Sequence, residues 1–145
     1  RVQQRIAGIY TAAHRHGIDP AHIPHETVPY DMDAAMQAFD RLMHCTPRPT
    51  AILCSNDVQA AGAVAQARHR GMDVPGDISI SGFDDLALSR AIYPPLTTVQ
   101  VPHQARGQQA ADMVLALLAG QQATPVVLNA PLVVRQTTGP TSSSV

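Results

Sequence analysis

Two stretches of the sequence decide the fold: residues 50–57 read TAILCSND, and residues 74–85 read VPGDISISGFDD. The first contains a short apolar run, 50–54, that is typical of a strand buried on both faces of a sheet, and the second contains a second predicted strand at 78–83. Each of the two strands ends in a polar cluster. Between the two stretches, residues 58–69 have the pattern of a helix, and the polar cluster at 55–57 can cap its first turn. A strand, a helix and a second strand in this order predict a βαβ unit with parallel strands.

The chain on either side of these stretches continues to alternate between helices and strands. Helices are predicted over residues 1–16, from Asp31 or Asp33 to Met43, at 86–91 as a single turn, and over 103–119. Strands are predicted over residues 96–101, 126–128 and 132–134, with at most a short strand at 26–28. From Thr137 onward the sequence is polar and carries no packing signal. The pattern therefore predicts an α/β fold built on a parallel sheet.

The composition excludes several classes of protein. Of the 145 residues, 45% are hydrophobic, which is enough for a core, and the net charge of −1 offers no electrostatic footprint for nucleic acid or an anionic membrane. No apolar stretch approaches the roughly 20 residues that a membrane-spanning helix needs. The two cysteines, Cys45 and Cys54, are too few for a disulfide framework and fit a reducing compartment. The chain starts at Arg1 with neither an initiator methionine nor a signal-peptide pattern, so we expect it to be part of a longer protein.

Polar residues follow both central strands at the point where each strand ends. Residues 55–57 follow the first strand, and Asp84-Asp85 follow the second. In an open parallel sheet the carboxyl ends of neighbouring strands meet at one edge, and ligands bind there. Asn56 supplies a donor and an acceptor and the aspartates supply acceptors, a combination that suits a ligand rich in hydroxyl groups. The alternative is that Asn56 or Asp57 only caps the following helix and that Asp84-Asp85 is a solvated turn.

Metal binding and catalysis have weaker support in the sequence. None of the seven histidines has the Cys/His spacing of a zinc site, so no metal is predicted. Cys54 lies at a strand end, but a buried structural cysteine is much commoner than a nucleophile. The sequence contains neither a Gly-x-Ser-x-Gly elbow nor a glycine-rich phosphate loop. We therefore predict a protein that is not an enzyme and needs no cofactor.

Five segments of the chain, taken in order, resemble the lactose/galactose repressor (LacI/GalR) family. They read RIAG at 5–8, PTAI at 49–52 with ND at 56–57, VPGDISISGFDD at 74–85, PLTTV at 95–99 and LVVRQT at 132–137. The second and third segments together are specific, whereas each alone would be weak. The resemblance covers roughly residues 1–138.

The resemblance implies a periplasmic-binding-protein-like (type I) lobe with three layers, αβα, as a fragment of a two-lobe domain that holds its ligand in the cleft between the lobes. Residues 1–138 would form the C-terminal lobe, and residues 139–145 would be a polar tail. The helix at 103–119 would belong with a first lobe that this chain lacks. Without that lobe, we expect the apolar face of this helix to fold back on its own sheet or to pack against a second copy of the chain.

The resemblance also implies ligand-binding residues. Arg5, Asn56 and Asp84 match positions that hydrogen-bond the ligand in this family, and we expect them to converge at one edge of the sheet. Tyr30 falls where many relatives keep an aromatic ring that stacks on the ligand. Val101 falls where some relatives have a polar contact, so its apolar side chain leaves the identity of the ligand open.

The function implied by the resemblance is that of the effector-sensing domain of a DNA-binding transcriptional repressor. The small-molecule effector would be sugar-like or nucleoside-like, with a carbohydrate preferred. The whole protein would be a cytoplasmic homodimer that uses residues 58–69 and 88–93 in its interface, binds operator DNA through a headpiece absent from this chain, and has no membrane partner. The alternatives are a periplasmic sugar-binding protein of a transporter, which the regulator-like motifs disfavour, and a doubly wound enzyme, which the lack of a catalytic constellation disfavours.

Overall fold

The computed structural model describes residues 2–140. Its helices are α1 (Val2–Arg15), α2 (Met32–Leu42), α3 (Asp57–His69), α4 (Ala87–Ala91) and α5 (His103–Leu118), with one turn of 3₁₀ helix at Pro20–His22. Its strands are β1 (Ala51–Leu53), β2 (Ser79–Asp84), β3 (Thr97–Gln100) and β4 (Leu132–Val133). Helices and strands alternate through most of the chain, as the sequence pattern predicts.

The four strands form one sheet in the order β1-β2-β3-β4. β1, β2 and β3 are parallel, with Ala51 opposite Ser79 and Asp84 opposite Gln100. β4 pairs antiparallel with β3, so the sheet is mixed rather than wholly parallel. The parallel part contains the βαβ unit that the two central stretches predict, and the α/β class is confirmed.

The strand predicted at residues 126–128 does not form. Residues 126–128 are irregular, and Val127 is 96% exposed. Residues 26–28 are also irregular, and Pro24 and Pro29 on either side of them cannot donate to a strand ladder. An extended run becomes a strand only where a neighbouring strand supplies its hydrogen bonds, and within residues 2–140 neither run has such a neighbour. The prediction of a strand at 126–128 is therefore wrong, whereas the loop predicted around 26–28, with at most a short strand, agrees with the structure.

α3 is the most enclosed helix of the described chain, because it packs against α2, α4 and β2. Apart from Asp57, its buried residues are small or medium in size: Ala60, Ala61, Gly62, Ala63, Val64 and Ala67. A Cβ on Gly62 would lie 2.5 Å from the backbone oxygen of Met32, so this approach of α3 to α2 requires glycine. The small side chains let three elements approach one helix closely.

The hydrophobic core lies between α2, α3 and the sheet. Phe39 of α2, Ile80 of β2 and Leu96, which precedes β3, are each at most 1% exposed. Burial of an apolar side chain of this size is worth about 1.5–3 kcal/mol. Val74 and Ile78, in the segment that leads into β2, belong to the same cluster. The core therefore fixes α2 and α3 on the sheet and holds in place the edge at which β1 and β2 end.

α5 forms where the sequence predicts a helix, but it does not pack on the sheet. It buries none of its side chains, and Val114, Leu117 and Leu118 are 56%, 59% and 79% exposed. α2 and α3 already cover the face of the sheet to which Ile80 contributes. The expectation that the apolar face of α5 folds back on its own sheet is therefore wrong.

The end of the described chain is packed rather than loose. Thr137 is 0% exposed. Its backbone oxygen accepts from the N–H of Ile80 at 2.8 Å, and its hydroxyl oxygen accepts from the N–H of Thr97 at 2.9 Å. Gly139 donates to the hydroxyl oxygen of Ser79 at 3.2 Å. The segment 137–139 therefore satisfies backbone groups of β2 and β3, which corrects the expectation that packing stops at Thr137.

The last five residues of the predicted polar tail, 141–145, lie outside the described part of the chain. Within residues 2–140, no helix combines the length and the apolar character needed to cross a bilayer.

Candidate functional site

β1 and β2 run parallel and side by side, so their carboxyl ends lie at one edge of the sheet. The backbone N–H of Cys54 donates to the oxygen of Ser81 at 2.8 Å, which carries the pairing past the end of β1. Residues 55–57 and Asp84 therefore leave the sheet at the same edge, as parallel strands require. The two polar clusters converge, as the sequence predicts.

α1 brings a cation to this edge. Nη1 of Arg5 donates a hydrogen bond to the backbone oxygen of Ser55 at 2.5 Å. The same guanidinium lies 4.0 Å from the centroid of the Phe83 ring, within the range of a cation–π interaction. These two contacts join α1 to the ends of both β1 and β2 and set the direction of the Arg5 side chain.

An open pocket of about 390 Å³ lies at this edge. Its lining residues are Gln4, Arg5, Phe83, Asp84, Val101 and Arg106. Small-molecule sites have volumes of about 300–1,000 Å³, so the pocket is large enough for a molecule of monosaccharide size. Because Arg5 and Asp84 line the same pocket, the donors of a guanidinium and the acceptors of a carboxylate are available to one ligand.

Asp84, the last residue of β2, and Asp85 lie where the chain turns away from the sheet, and both have a left-handed backbone, with φ of 111° and 53°. Such conformations cost about 1–3 kcal/mol for a residue other than glycine and persist only where surrounding contacts hold them. The Asp85 carboxylate makes those contacts, because it accepts hydrogen bonds from Arg135 at 2.6 Å, Ser89 at 2.8 Å and Gln100 at 2.9 Å. Asp85 thereby positions Asp84 at the pocket.

The electrostatics of Asp85 agree with this positioning role. Burial alone would raise the pKa of its carboxyl, but the hydrogen bonds from Arg135, Ser89 and Gln100, together with the charge of Arg135, hold that pKa below its usual value. Arg135 also donates to the backbone oxygen of Leu96 at 2.8 Å. Asp85 is therefore a carboxylate at neutral pH, and an arginine 50 residues away in the sequence anchors the turn.

A second carboxylate, that of Asp57, is fully buried at the start of α3. Its Oδ2 accepts from the N–H of Leu86 at 2.7 Å, and its Oδ1 accepts from the hydroxyl of Thr98 at 2.5 Å. Asp57 therefore joins α3 to β3 and to the residue that follows the turn after β2. A Cβ on Gly82 would clash with Oδ1 of Asp57, so the glycine inside β2 is a sequence signal of this buried group.

Asn56 is the N-cap of α3, which is the alternative role that the sequence leaves open for it. Its Oδ1 accepts from the N–H of Gln59 at 2.8 Å, and its Nδ2 donates to the hydroxyl oxygen of Ser55 at 3.4 Å. The residue is 6% exposed and does not line the pocket. Arg5 contacts the backbone of the preceding residue, so Asn56 lies close to the pocket but not on its wall.

Tyr30 is not brought to the pocket. Its side chain is 62% exposed, and it precedes Asp31, the N-cap of α2. The segment before it is tied to α3, because Nε2 of Gln59 donates to the backbone oxygens of Val28 at 3.2 Å and Pro29 at 3.0 Å. Of the four predicted ligand-binding residues, the structure places Arg5 and Asp84 on one pocket, Asn56 beside it and Tyr30 elsewhere.

Residues 2–138 match the family of periplasmic binding protein-like domains. The chain belongs to this family. The position of the pocket agrees with this fold, because open parallel sheets bind ligands beyond the carboxyl ends of their strands.

Three relatives illustrate the similarity. The HTH-type transcriptional repressor CytR of Escherichia coli (strain K12) is 37% identical over 119 residues, which are 81% of this chain and 34% of CytR. The structure of a LacI family transcriptional regulator from Bifidobacterium animalis subsp. lactis DSM 10140 has 28% sequence identity and a TM-score of 0.88, and it covers 96% of this chain and 51% of its own. The dimeric Lac repressor with an 11-residue C-terminal deletion has 32% identity and a TM-score of 0.84 over 94% of this chain and 50% of its own.

The resemblance to the LacI/GalR family is confirmed by these matches, and so is the periplasmic-binding-protein-like fold. The chain spans about a third of the length of CytR and about half of the length of the two structural relatives.

The sequence motifs of this periplasmic-binding-protein-like domain indicate only part of the pocket. Gln4, Phe83 and Arg106 line it, although none of them stands out as a ligand-binding residue in the sequence. Phe83 directly precedes Asp84 in the stretch that decides the fold, so its place in the sequence could have indicated that it lies near the pocket. Arg106 lies near the start of α5, which begins just beyond the end of β3. A residue at this place, past the carboxyl end of a parallel strand, could have been expected near the pocket.

Cys54 also lies at this edge, but its thiol is a poor nucleophile. Burial of the thiol and the nearby charge of Asp57 raise the pKa of Cys54 to about 12, so the thiol is protonated at neutral pH. Across residues 2–140, no three side chains among His, Cys, Asp and Glu are grouped so that they could hold a metal ion.

Proposed function

We propose that residues 1–138 are the C-terminal lobe of the effector-sensing domain of a LacI-family transcriptional repressor. The pocket at the end of β2 would form one wall of a cleft that binds a small, hydroxyl-rich effector without chemical turnover. The observation that carries the proposal is the guanidinium of Arg5 and the carboxylate of Asp84 on one pocket, at the carboxyl ends of parallel strands.

The proposed site combines donors and acceptors. Arg5 presents N–H donors and Asp84 presents carboxylate acceptors, and each hydrogen bond to such a charged group is worth about 1.5–3 kcal/mol. Asn56, the N-cap of α3, would contribute the donor capacity of its Nδ2, because its Oδ1 already accepts a hydrogen bond. The Tyr30 side chain is 62% exposed and does not line the pocket, so it would stack on the ligand only after residues 29–31 move toward the pocket.

The exposed face of α5 supports a second lobe. Val114, Leu117 and Leu118 are 56%, 59% and 79% exposed, and a contiguous apolar face of this kind rarely stays exposed on a monomer. We propose that this face packs on a first lobe outside the chain and that residues 103–119 belong structurally to that lobe.

Regulation would follow from a shift between open and closed arrangements of the two lobes. An effector that contacts both lobes binds the closed form better than the open form, and it therefore raises the population of the closed form. In a cytoplasmic homodimer, closure would change the placement of the DNA-binding headpieces and so the affinity for operator DNA.

The proposed dimer interface includes residues 58–69 and 88–93. Nη1 of Arg68 donates to the backbone oxygen of Tyr93 at 2.8 Å, which joins the two segments. The Tyr93 side chain is 70% exposed, so it is available to a second copy. The dimeric Lac repressor among the structural relatives supports this part of the proposal.

The test uses the longer protein with both lobes and its headpiece, and a panel of monosaccharides and nucleosides. Calorimetry measures binding of each compound, and fluorescence anisotropy measures operator binding with and without it. The Asp84→Ala variant is expected to weaken effector binding about 10- to 100-fold, because one or two hydrogen bonds to a charged group are lost. Operator affinity without effector should not change. Asp33→Ala, an exposed carboxylate that does not line the pocket, serves as the matched control.

Two results would contradict the proposal. Equal loss of effector binding and operator binding in the Asp84→Ala variant would mean that Asp84 is structural. Sugar binding by a protein that binds no operator would instead favour the alternative of a transporter's sugar-binding protein.

A further inference from the structure

The charges on the pocket do not balance. Two guanidinium groups, those of Arg5 and Arg106, line it against one carboxylate, that of Asp84. The adjacent carboxylate of Asp85 does not offset this excess, because it pairs with Arg135 at 2.6 Å and with Arg90 at 3.5 Å. The part of the pocket wall that the structure describes therefore carries an excess of one positive charge.

Arg106 is directed toward the Asp84 turn by its contact with His103. Nη2 of Arg106 lies 3.5 Å from Nδ1 of His103, and Nε2 of His103 lies 3.2 Å from the backbone oxygen of Asp84. A neutral His103 with its proton on Nε2 satisfies both contacts, because Nε2–H donates to the carbonyl and Nδ1 accepts from the arginine. Within residues 2–140, no carboxylate lies within ion-pair distance of Arg106.

The position of Arg106 is locally unfavourable without an anion. Arg106 lies at the N-terminal end of α5, where the first turn contains no acidic residue and no side chain caps the helix. Cations are disfavoured at a helix N-terminus because the unpaired N–H groups there carry partial positive charge. A residue that breaks a local rule in this way is expected at a functional site, where a ligand supplies the compensating interaction.

We propose that the effector carries an anionic group, a carboxylate or a phosphate, on a hydroxyl-bearing ring, and that Arg106 binds this group while Asp84 accepts from the hydroxyls. The inference rests on the proposed function and goes beyond it by assigning a charge to the effector. The described residues offer Arg106 no carboxylate, so closure of a cleft over a neutral sugar or nucleoside would remove water from its charge with no counter-charge from this wall, which is strongly unfavourable. An anionic ligand removes that cost.

The test measures binding of matched compounds to the longer protein with both lobes. The probes are glucose, glucuronate and glucose 6-phosphate, and galactose, galacturonate and galactose 6-phosphate, so the arms separate a carboxylate from a phosphate. At least one anionic member is expected to bind 10- to 100-fold more tightly than its neutral partner, roughly the effect of one or two hydrogen bonds to a charged group. In the Arg106→Gln variant this preference should disappear, so that the anionic member and its neutral partner bind with similar affinity. Arg15→Gln, an exposed arginine of α1 that does not line the pocket, is the matched control.

The outcomes separate this inference from the proposed function. If a neutral sugar or a nucleoside binds and releases the operator while no anionic probe binds at millimolar concentration, the inference is overturned and the proposed function stands. If the preference for the anion survives in Arg106→Gln, the assignment to Arg106 is overturned. If no member of this set or of the sugar and nucleoside panel binds, the inference and the proposed function both fail.

Discussion

Replacing Gly82 with alanine tests the packing on which the pocket depends. A Cβ at this position of β2 would lie 2.8 Å from Cδ2 of Leu96 and would clash with Oδ1 of Asp57. Both neighbours are 0% exposed, so neither side chain has solvent to move into. Asp57 cannot shift without weakening its hydrogen bonds to the N–H of Leu86 and the hydroxyl of Thr98.

The expected magnitude follows from these contacts. Overpacking a core costs about 1–3 kcal/mol. Weakening one hydrogen bond to the Asp57 carboxylate costs about 1.5–3 kcal/mol. Against these costs, alanine reduces the conformational entropy of the unfolded chain relative to glycine, which contributes about 0.4–1 kcal/mol of stability. The free energy of unfolding should therefore fall by about 2–5 kcal/mol in Gly82→Ala.

Urea unfolding of the 145-residue chain, followed by far-ultraviolet circular dichroism, measures this difference. Gly107→Ala is the matched control, because a Cβ on Gly107 of α5 meets no atom within 4 Å. Alanine is a better helix former than glycine, so the control should gain about 0.5–1 kcal/mol. The two variants are thus expected to change stability in opposite directions. A Gly82→Ala protein that is as stable as the wild type would refute the reasoning about Asp57.

Three further predictions concern the same edge of the sheet. The folded-state pKa of Asp85 is below its usual value, so the ionised carboxylate contributes to stability at neutral pH, and this contribution is lost as the pH falls through the lowered pKa. In the Asp85→Asn variant, the free energy of unfolding measured with urea should therefore depend less steeply on pH below about pH 4. An unchanged pH dependence would contradict this prediction. The Cys54 thiol, with a pKa of about 12, should react with iodoacetamide at pH 8 far more slowly than Cys45, and equal rates would show that Cys54 is not shielded. Asn56→Ala should lower the free energy of unfolding by about 1 kcal/mol because the N-cap of α3 is lost, whereas Asn56→Asp should keep the cap. The aspartate lacks the amide donor, so Asn56→Asp in the longer protein should weaken effector binding if that donor contacts the ligand. Normal effector binding by Asn56→Asp would argue against such a contact.

Local sequence patterns account for most helices and strands of this protein. The choice of N-cap for α2 illustrates why, because Oδ1 of Asp31 accepts from the N–H of Ala34, only three residues away. Capping and hydrophobic periodicity both act within one or two turns, so they are visible in a single stretch of sequence. The edge at which β1 and β2 end is predictable for a similar reason, since strands joined by one helix are usually parallel neighbours.

Contacts between distant residues are not predictable in this way. Arg135 meets Asp85 across 50 residues, and Thr98 meets Asp57 across 41. Periodicity and motif spacing do not indicate which carboxylate a distant arginine or threonine will reach. The packing of Thr137, whose sequence context is polar, has the same origin, because its partners are backbone groups of two strands.

The sequence by itself determined the α/β alternation, the parallel unit of β1, α3 and β2, and the polar edge that contains Asp84, since each depends on residues close together in the chain. Only the tertiary structure decided that residues 126–128 stay unpaired, that α5 leaves its apolar face exposed, and that Arg106 joins Arg5 on one pocket. The physical reason is that these outcomes depend on which backbone groups and which surfaces remain free once the core has packed, and that is a property of the whole fold rather than of any one segment.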